Sequence, residues 1–190
     1  MEERTRFSDI KYRIKIGLMD DADYENMSAF SCGVKALDDF FHFEIRECVQ
    51  RRYLSAYSVF LDSEEIVGAF TLMNDALMIG SQTEKEDFIG DLRLETNEDV
   101  ADFLNRQSSY PAINIGHLGI AKDYQSLGIG AMIIDLVADT YAKHQQSGCQ
   151  FITVDALNNP RTTRFYCENS FSFQTNRDST STTRRMYRIL

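Results

Sequence analysis

The chain has no pair of cysteines close together in sequence. Cys32, Cys48, Cys149 and Cys167 are scattered through 190 residues, which suits reduced thiols better than a disulfide framework or a zinc site. His42, His117 and His144 are isolated, so no metal site is legible. No apolar stretch is long enough to span a bilayer. The first residues, Met1-Glu2-Glu3-Arg4-Thr5-Arg6, are charged and carry no signal-peptide core, so a cytoplasmic protein without membrane contact is expected. Positive charge is short as well. Twenty Lys and Arg face 29 Asp and Glu, for a net charge of −9, which argues against broad nucleic-acid binding through neutralised phosphates. Small basic groups stand at Arg4, Arg6, Lys11, Arg13 and Lys15, at Arg51-Arg52 and at Arg184-Arg185, and each reads most simply as solvated surface. Internal repeats, linkers and low-complexity tracts are missing, apart from a polar loop at Thr175 to Thr183.

What remains has the composition of an ordinary globular domain, 43% hydrophobic and 26% charged. One domain over residues 1–190 is expected. Tyr12 to Gly17 alternates like a strand, and Asp20 to Met27 reads as a short helix or loop. Leu37, Phe40, Phe41, Ile45 and Cys48 recur at helical spacing. Tyr57 to Leu61 and Ile66 to Met73 form two β-rich runs around Asp62-Ser63-Glu64-Glu65, the pattern of a hairpin. Ser81 to Ser109 is polar and acidic with sparse apolar residues (Phe88, Ile89, Leu92, Leu94, Val100, Phe103, Leu104). It predicts a partly helical insertion, either a mobile segment shaping a cleft or a surface excursion. Ile113 to Ile120 predicts a strand with Pro111 just before it. An amphipathic helix over Ala131 to His144 buries Ile133, Ile134, Leu136, Val137 and Tyr141. Strands at Phe151 to Val154, Phe171 to Gln174 and Met186 to Leu190, and a helix from Asn159-Pro160 to about Asn169, complete a mixed α/β pattern around one β-α-β crossover.

The segment from Ile113 to Glu168 carries the chemistry. A strand turns through Gln125-Ser126-Leu127-Gly128-Ile129-Gly130 into a helix. Such a turn presents a row of unpaired backbone N–H groups at the positive end of a helix dipole, a natural seat for a pyrophosphate. Glycines alone are a weak signal. No Gly-Lys-Ser/Thr follows, so this is not a Walker loop. Ile133 stands where a dinucleotide fingerprint needs its third small residue. Asn159 and, seven residues on, Tyr166 add a helix cap and a positioned phenol.

These residues resemble the GNAT superfamily of acyl-CoA-dependent N-acetyltransferases. The family's Gln/Arg-x-x-Gly-x-Gly/Ala loop is matched by Gln125, Gly128 and Gly130, and its preceding apolar run by Leu118-Gly119-Ile120. The downstream pattern of Asn, Ala, Tyr and Gly-Phe is matched by Asn159, Phe165, Tyr166 and Phe171, with Thr162 in place of Ala and Ser170 in place of Gly. The resemblance implies a central, mostly antiparallel sheet with a splayed parallel pair of strands, flanked by helices. It implies acetyl-CoA as the acyl donor and no metal. The cofactor would be bound by Leu118, Ile120, Gln125, Ser126, Leu127, Gly128, Ile129, Gly130, Ala131, Asn159 and Tyr166. The Ile120 N–H would polarise the thioester carbonyl. Tyr166 would protonate the departing thiolate. Asn114 stands where some members carry a Glu base, which Asn cannot replace. His117, on the opposite face by alternation, either lines the acceptor side or packs.

A second resemblance concerns the acceptor. Phe30-Ser31-Cys32-Gly33-Val34-Lys35-Ala36-Leu37-Asp38-Asp39-Phe40-Phe41 is similar to the N-terminal segment of toxin-type GNAT enzymes, which acetylate aminoacyl-tRNA and pair with an antitoxin. The same residues equally suit a cap and packed face for the first helix. The acidic charge points instead to a cationic small-molecule or protein amine. Three readings follow: an N-acetyltransferase for a primary amine, a tRNA-directed toxin neutralised by an antitoxin, and a non-catalytic acyl-CoA-binding module. Strand edges near the C-terminus make a homodimer plausible.

Overall fold

Alternating apolar residues set the first ladder. In the computed structural model, which describes residues 14–62, 65–79, 81–95, 98–143 and 147–190, strand β1 (Ile14–Leu18) pairs antiparallel with β2 (Ser55–Leu61). Strand β2 pairs antiparallel with β3 (Glu65–Met78), with a bulge at Val59/Phe60. The expected hairpin is present, with longer strands than the apolar runs alone mark. The residues of the first strand before Ile14, the four most N-terminal basic residues, Ser63-Glu64 and His144 lie outside the described residues.

The remaining strands are β4 (Ser109–Ile120), β5 (Phe151–Leu157), β6 (Ser172–Phe173) and β7 (Thr183–Ile189). The seven form one sheet in the order β1-β2-β3-β4-β5-β7-β6. Strands β4 and β5 are parallel, and β7 pairs antiparallel with both β5 and β6. Pro111 lies within β4 rather than before it, exposed, its carbonyl accepting the Gln150 N–H. Among the described residues, no helix is long and apolar enough to cross a membrane.

The fold divides into two compact units, one of residues up to Met73 with Ile115–Val137, the other of Asn74–Asn114 with Ala138–Leu190. In the first, helix α1 (Asp21–Asn26) starts with a reciprocal capping box between Asp20 and Asp23. A longer helical run follows as α2 (Lys35–Asp39), a π-helical turn (Phe40–Glu44) and α3 (Ile45–Gln50). The spacing predicts a regular helix here. The wider turn shifts the apolar stripe by one position, and Phe40, Phe41 and Ile45 are all buried. They join Met27, Phe30, Leu54, Ala56 and Ala69 in one cluster, with Leu37 and Cys48 half-buried at its edge.

Helix α6 (Ile129–Ala142) buries Ile129, Ile133, Ile134, Val137 and Ala138. Leu136, expected on the same stripe, lies at its edge and is exposed.

In the second unit the 81–109 segment forms helices α4 (Gln82–Glu95) and α5 (Glu98–Asn105). Part of it is packed. Phe88, Ile89 and Leu104 are buried with Leu77, Tyr110, Ala112, Phe151 and Tyr187. The Tyr110 hydroxyl donates to the Leu104 carbonyl at 3.1 Å, and Lys85 Nζ to the Gln107 carbonyl at 2.6 Å. The side chains of Leu92, Leu94 and Val100 lie outside the described residues. Strand β7 begins earlier than the apolar residues predict because internal carboxylates hold its arginines. Asp178 takes Arg184 Nε at 2.6 Å, and Asp155 takes Arg185 at 2.8 Å. The Arg184-Arg185 pair is thus structural rather than a solvated patch.

Candidate active site

Strand β4 is buried at every position from Ala112 to Ile115 and only half-buried from Gly116 to Leu118. Its parallel ladder with β5 runs through Ala112↔Phe151, Ile113↔Ile152 and Asn114↔Thr153, and both strands continue past the last pair. The strand therefore loses its cover at the place where its pairing ends.

After β4 the chain makes a 3₁₀ turn at Lys122–Tyr124 and enters the glycine loop. Ser126 and Gly128 take left-handed backbone angles, with φ of 64° and 90°. Gly128 caps α6, its carbonyl accepting the Met132 N–H at 3.0 Å. The N–H groups from Ser126 through Ala131 donate to no described residue. Unpaired donors at the positive end of a 14-residue helix make an anion site. The Gln125 side chain does something else. Its Nε2 donates to the carbonyls of Ile120 at 2.9 Å and of Cys32 at 2.8 Å. Leu118 and Ile120 are half-buried, and Gly119 between them is buried. Beside this turn lies a cavity of about 540 Å³ bordered by Phe30, Ser31, Ile66, Lys122 and Tyr124.

His117 sits in the same unit with its ring stacked on Phe40, centroids 3.5 Å apart. Its backbone N–H donates to Thr71 Oγ1 at 3.0 Å, and that hydroxyl lies 3.1 Å from Nδ1. Thr71 is fully buried, and its hydroxyl and Nδ1 share one hydrogen bond. Burial pushes the imidazole down to about 4. His117 is a neutral packed group and not a base poised near pH 7.

In the second unit, Asn159 does what its position predicts. Its side-chain oxygen accepts the Thr162 N–H at 2.9 Å and caps α7 (Pro160–Glu168), with Pro160 in the first turn. Tyr166 is buried between Phe165 and Phe171, ring centroids 5.1 and 5.2 Å away. The helix ends in a Schellman motif. The Phe171 N–H reaches back to the Tyr166 carbonyl at 3.0 Å and the Ser170 N–H to the Cys167 carbonyl at 3.1 Å, with the Tyr166–Phe171 contact as its apolar clasp. The same motif thus fixes the phenol. Its hydroxyl hydrogen-bonds to no described residue. Burial pushes the phenol well above its usual range, so it is protonated at neutral pH.

Ser170 occupies the left-handed position of that motif, at φ 65°, where glycine is the unstrained choice. Ser170→Gly is expected to stabilise the fold by about 0.5–1 kcal/mol. Thermal melting should then show a rise of roughly 1–4 °C. A lower melting temperature would show that the serine side chain has a role in the turn.

Asn114 is buried, and its Nδ2 donates to Thr153 Oγ1 at 3.1 Å. Thr153 in turn donates to the Asp75 carboxylate, which also takes the Arg185 guanidinium. Burial alone would raise the Asp75 carboxyl. The Thr153 hydroxyl, the Ala76 N–H and the Arg185 charge outweigh it and hold the group below the usual carboxylate range. Sequence reasoning missed this network. The Arg184-Arg185 pair was its one visible sign, because Asp75 and Thr153 carry no motif. Asp75 is ionised and fully engaged, so it is a poor base too. Among the described residues, no group of His, Cys, Asp or Glu could hold a metal ion.

No curated protein sequence matches the chain at a significant level. Among solved structures, it is similar to a Tyr-to-Phe mutant of the toxin AtaT bound to the C-terminus of the antitoxin AtaR and acetyl-CoA, with 19% identity, 93% of this chain and 92% of that chain covered, and a TM-score of 0.63. It is similar to a Tyr-to-Phe mutant of KacT, with 18% identity, 93% and 94% coverage and a TM-score of 0.69. It is also similar to AtaT complexed with acetyl-methionyl-tRNAfMet, with 19% identity, 91% and 94% coverage and a TM-score of 0.66. At these identities the likeness is one of fold. Residues 34–173 match the family model described as "Acetyltransferase (GNAT) family", and with that match over most of its length the chain belongs to the GNAT acetyltransferase family.

Proposed function

We propose that residues 1–190 act as a single acetyltransferase domain, with 81–109 as its insertion, that moves the acetyl group of acetyl-CoA to a primary amine by direct attack in a ternary complex. The observation that carries this reading is the row of undonated N–H groups from Ser126 through Ala131 at the start of α6. It supports binding of the two phosphates of the coenzyme A diphosphate there. The free length of β4 around Leu118 and Ile120 supports pairing with the pantetheine arm, with the Ile120 N–H polarising the thioester carbonyl.

The amine nitrogen forms a bond to the acetyl carbon, the carbon–sulfur bond breaks, and the thiolate takes a proton from Tyr166. Neither His117 nor Asp75 suits the role of base, so the proton lost by the amine goes to water, from which Tyr166 regains the one it gave, and an acceptor already neutral in the site is favoured.

A second reading names the acceptor as aminoacyl-tRNA and the partner as an antitoxin. The Phe30–Phe41 motif and the fold shared with AtaT and KacT favour it, while the net charge of −9 favours a cationic amine. One assay addresses both readings. Purified protein is given acetyl-CoA with simple amines, peptide amines or aminoacyl-tRNA, and free thiol release is followed. Turnover on a small or peptide amine supports the first reading. Turnover on aminoacyl-tRNA alone supports the second. Tight acetyl-CoA binding without turnover on any acceptor would leave a binding module.

A further inference from the structure

The Phe30–Phe41 motif has a structural connection that its sequence does not advertise. The Asp38 carboxylate gathers the turn before α2, with one oxygen accepting the Ser31 hydroxyl at 2.8 Å and the other the Cys32 N–H at 2.8 Å. Burial alone would raise this carboxyl, but the hydrogen bonds from Cys32, Ser31 and Gly33 outweigh it and hold Asp38 ionised. The two carbonyls of the gathered turn then face the chain leaving β4. The Ser31 carbonyl accepts the Lys122 N–H at 3.1 Å, and the Cys32 carbonyl accepts Gln125 Nε2 at 2.8 Å. The same Nε2 donates to the Ile120 carbonyl at 2.9 Å. A primary amide has two hydrogens on one nitrogen, and here they join two segments 93 residues apart.

Contact reinforces the link. A Cβ at Gly119 would lie 2.8 Å from the Phe41 ring and 3.3 Å from that of Phe30, so the two aromatics press directly on the β4 backbone. Gly33, at φ +82°, lets the Lys122 stem lie across the turn, where a Cβ would be 2.4 Å from Lys122 Cε.

We propose that the Ser31–Asp38 turn is a brace for the glycine loop, and that Gln125 is a positioning residue that transmits it rather than a side chain that contacts phosphate. Gln125 fixes where the loop leaves β4, and the loop then presents its N–H row in one arrangement. This inference rests on the coenzyme A reading of that loop. It assigns the N-terminal motif a part in donor binding, independent of which amine is acetylated.

Isothermal titration of the full chain with acetyl-CoA tests it, using wild type, Gln125→Met, Asp38→Ala and the double variant. Methionine keeps the shape of glutamine and removes both bonds without adding charge. Gln125→Met is expected to raise the Kd about tenfold. Asp38 touches no residue of the loop itself, yet Asp38→Ala is expected to raise the Kd similarly. The double variant should bind no more weakly than the worse single one, because both changes release the same brace. If Asp38→Ala does not fold, Ser31→Ala takes its place in the cycle. A wild type that binds no acetyl-CoA overturns the coenzyme A reading itself. A wild type that binds, with Gln125→Met within twofold of it or with losses that add, overturns the brace alone.

Discussion

Tyr166→Phe is expected to lower kcat by about a hundred- to a thousand-fold while acetyl-CoA affinity stays within about twofold. Phenylalanine fills the same space, and the Phe165 and Phe171 ring contacts survive. The hydroxyl hydrogen-bonds to no described residue, so its removal breaks no bond among them. The melting temperature should therefore stay level or rise, and a fall in rate would report chemistry alone. Burial raises the phenol above its usual range, which makes it a weaker acid than tyrosine in water. Complete transfer to a thiolate, with a pKa of about 8.5 for a free thiol, is then uphill. In the proposed mechanism the hydroxyl would contribute most as a hydrogen bond to sulfur while charge develops, with the proton following as the bond breaks. Full activity in Tyr166→Phe, measured by thiol release at saturating donor, would remove Tyr166 from the mechanism.

The parts of this fold that sequence made legible are those fixed by local rules. Asn159 before Pro160 marks a helix start, and the structure places the cap there with its bond to Thr162. The glycine loop is legible because residue type limits backbone angle, and Gly128 does adopt positive φ. Ser126 and Ser170 also adopt it without being glycine, and no local rule points to them. The π-helical turn at Phe40–Glu44 was hidden because an i+3/i+4 stripe tolerates one inserted residue. The strands β4 and β7 were underestimated because polar and charged positions within them are satisfied by distant partners. Arg184 needs Asp178, Arg185 needs Asp75 and Asp155, and Asn114 needs Thr153. The polarity of 81–109 concealed its core residues, because Phe88, Ile89 and Leu104, the buried ones among its described side chains, leave little periodic signal among many charges.

The acidic charge also reads differently once the ion pairs are placed. The arginines at 184 and 185 are held by internal carboxylates, and Arg51 pairs with Glu47 one helical turn away. Arg184 is covered by its partner, whereas Arg51 stays largely exposed beside Glu47 and keeps its charge at the surface. The Phe30–Phe41 motif no longer weighs solely for tRNA, because its hydrogen bonds lead to the donor loop.

Gly128→Val should produce the largest loss of donor binding, raising the Kd for acetyl-CoA by about five- to a hundred-fold if the strain falls on the bound arrangement. Residue 128 holds φ 90°, a conformation that a β-branched side chain adopts only with strain of about 1–3 kcal/mol. The loop can relieve it only by rotating Gly128, and that carbonyl is the first acceptor of α6, bonded to Met132 at 3.0 Å. Rotation therefore frays the helix start and scatters the N–H groups that follow it, weakening both the local donors and the dipole behind them. Ser126→Gly is the control, since it relaxes a left-handed angle, φ 64°, in the same loop. It should bind acetyl-CoA about as well as wild type and melt no lower. Calorimetry of the three proteins, with melting temperatures to separate binding from folding, decides the matter. Equal affinities in Gly128→Val and wild type would show that the diphosphate is held elsewhere. A loss confined to Gly128→Val would tie the donor site to the backbone geometry of one residue.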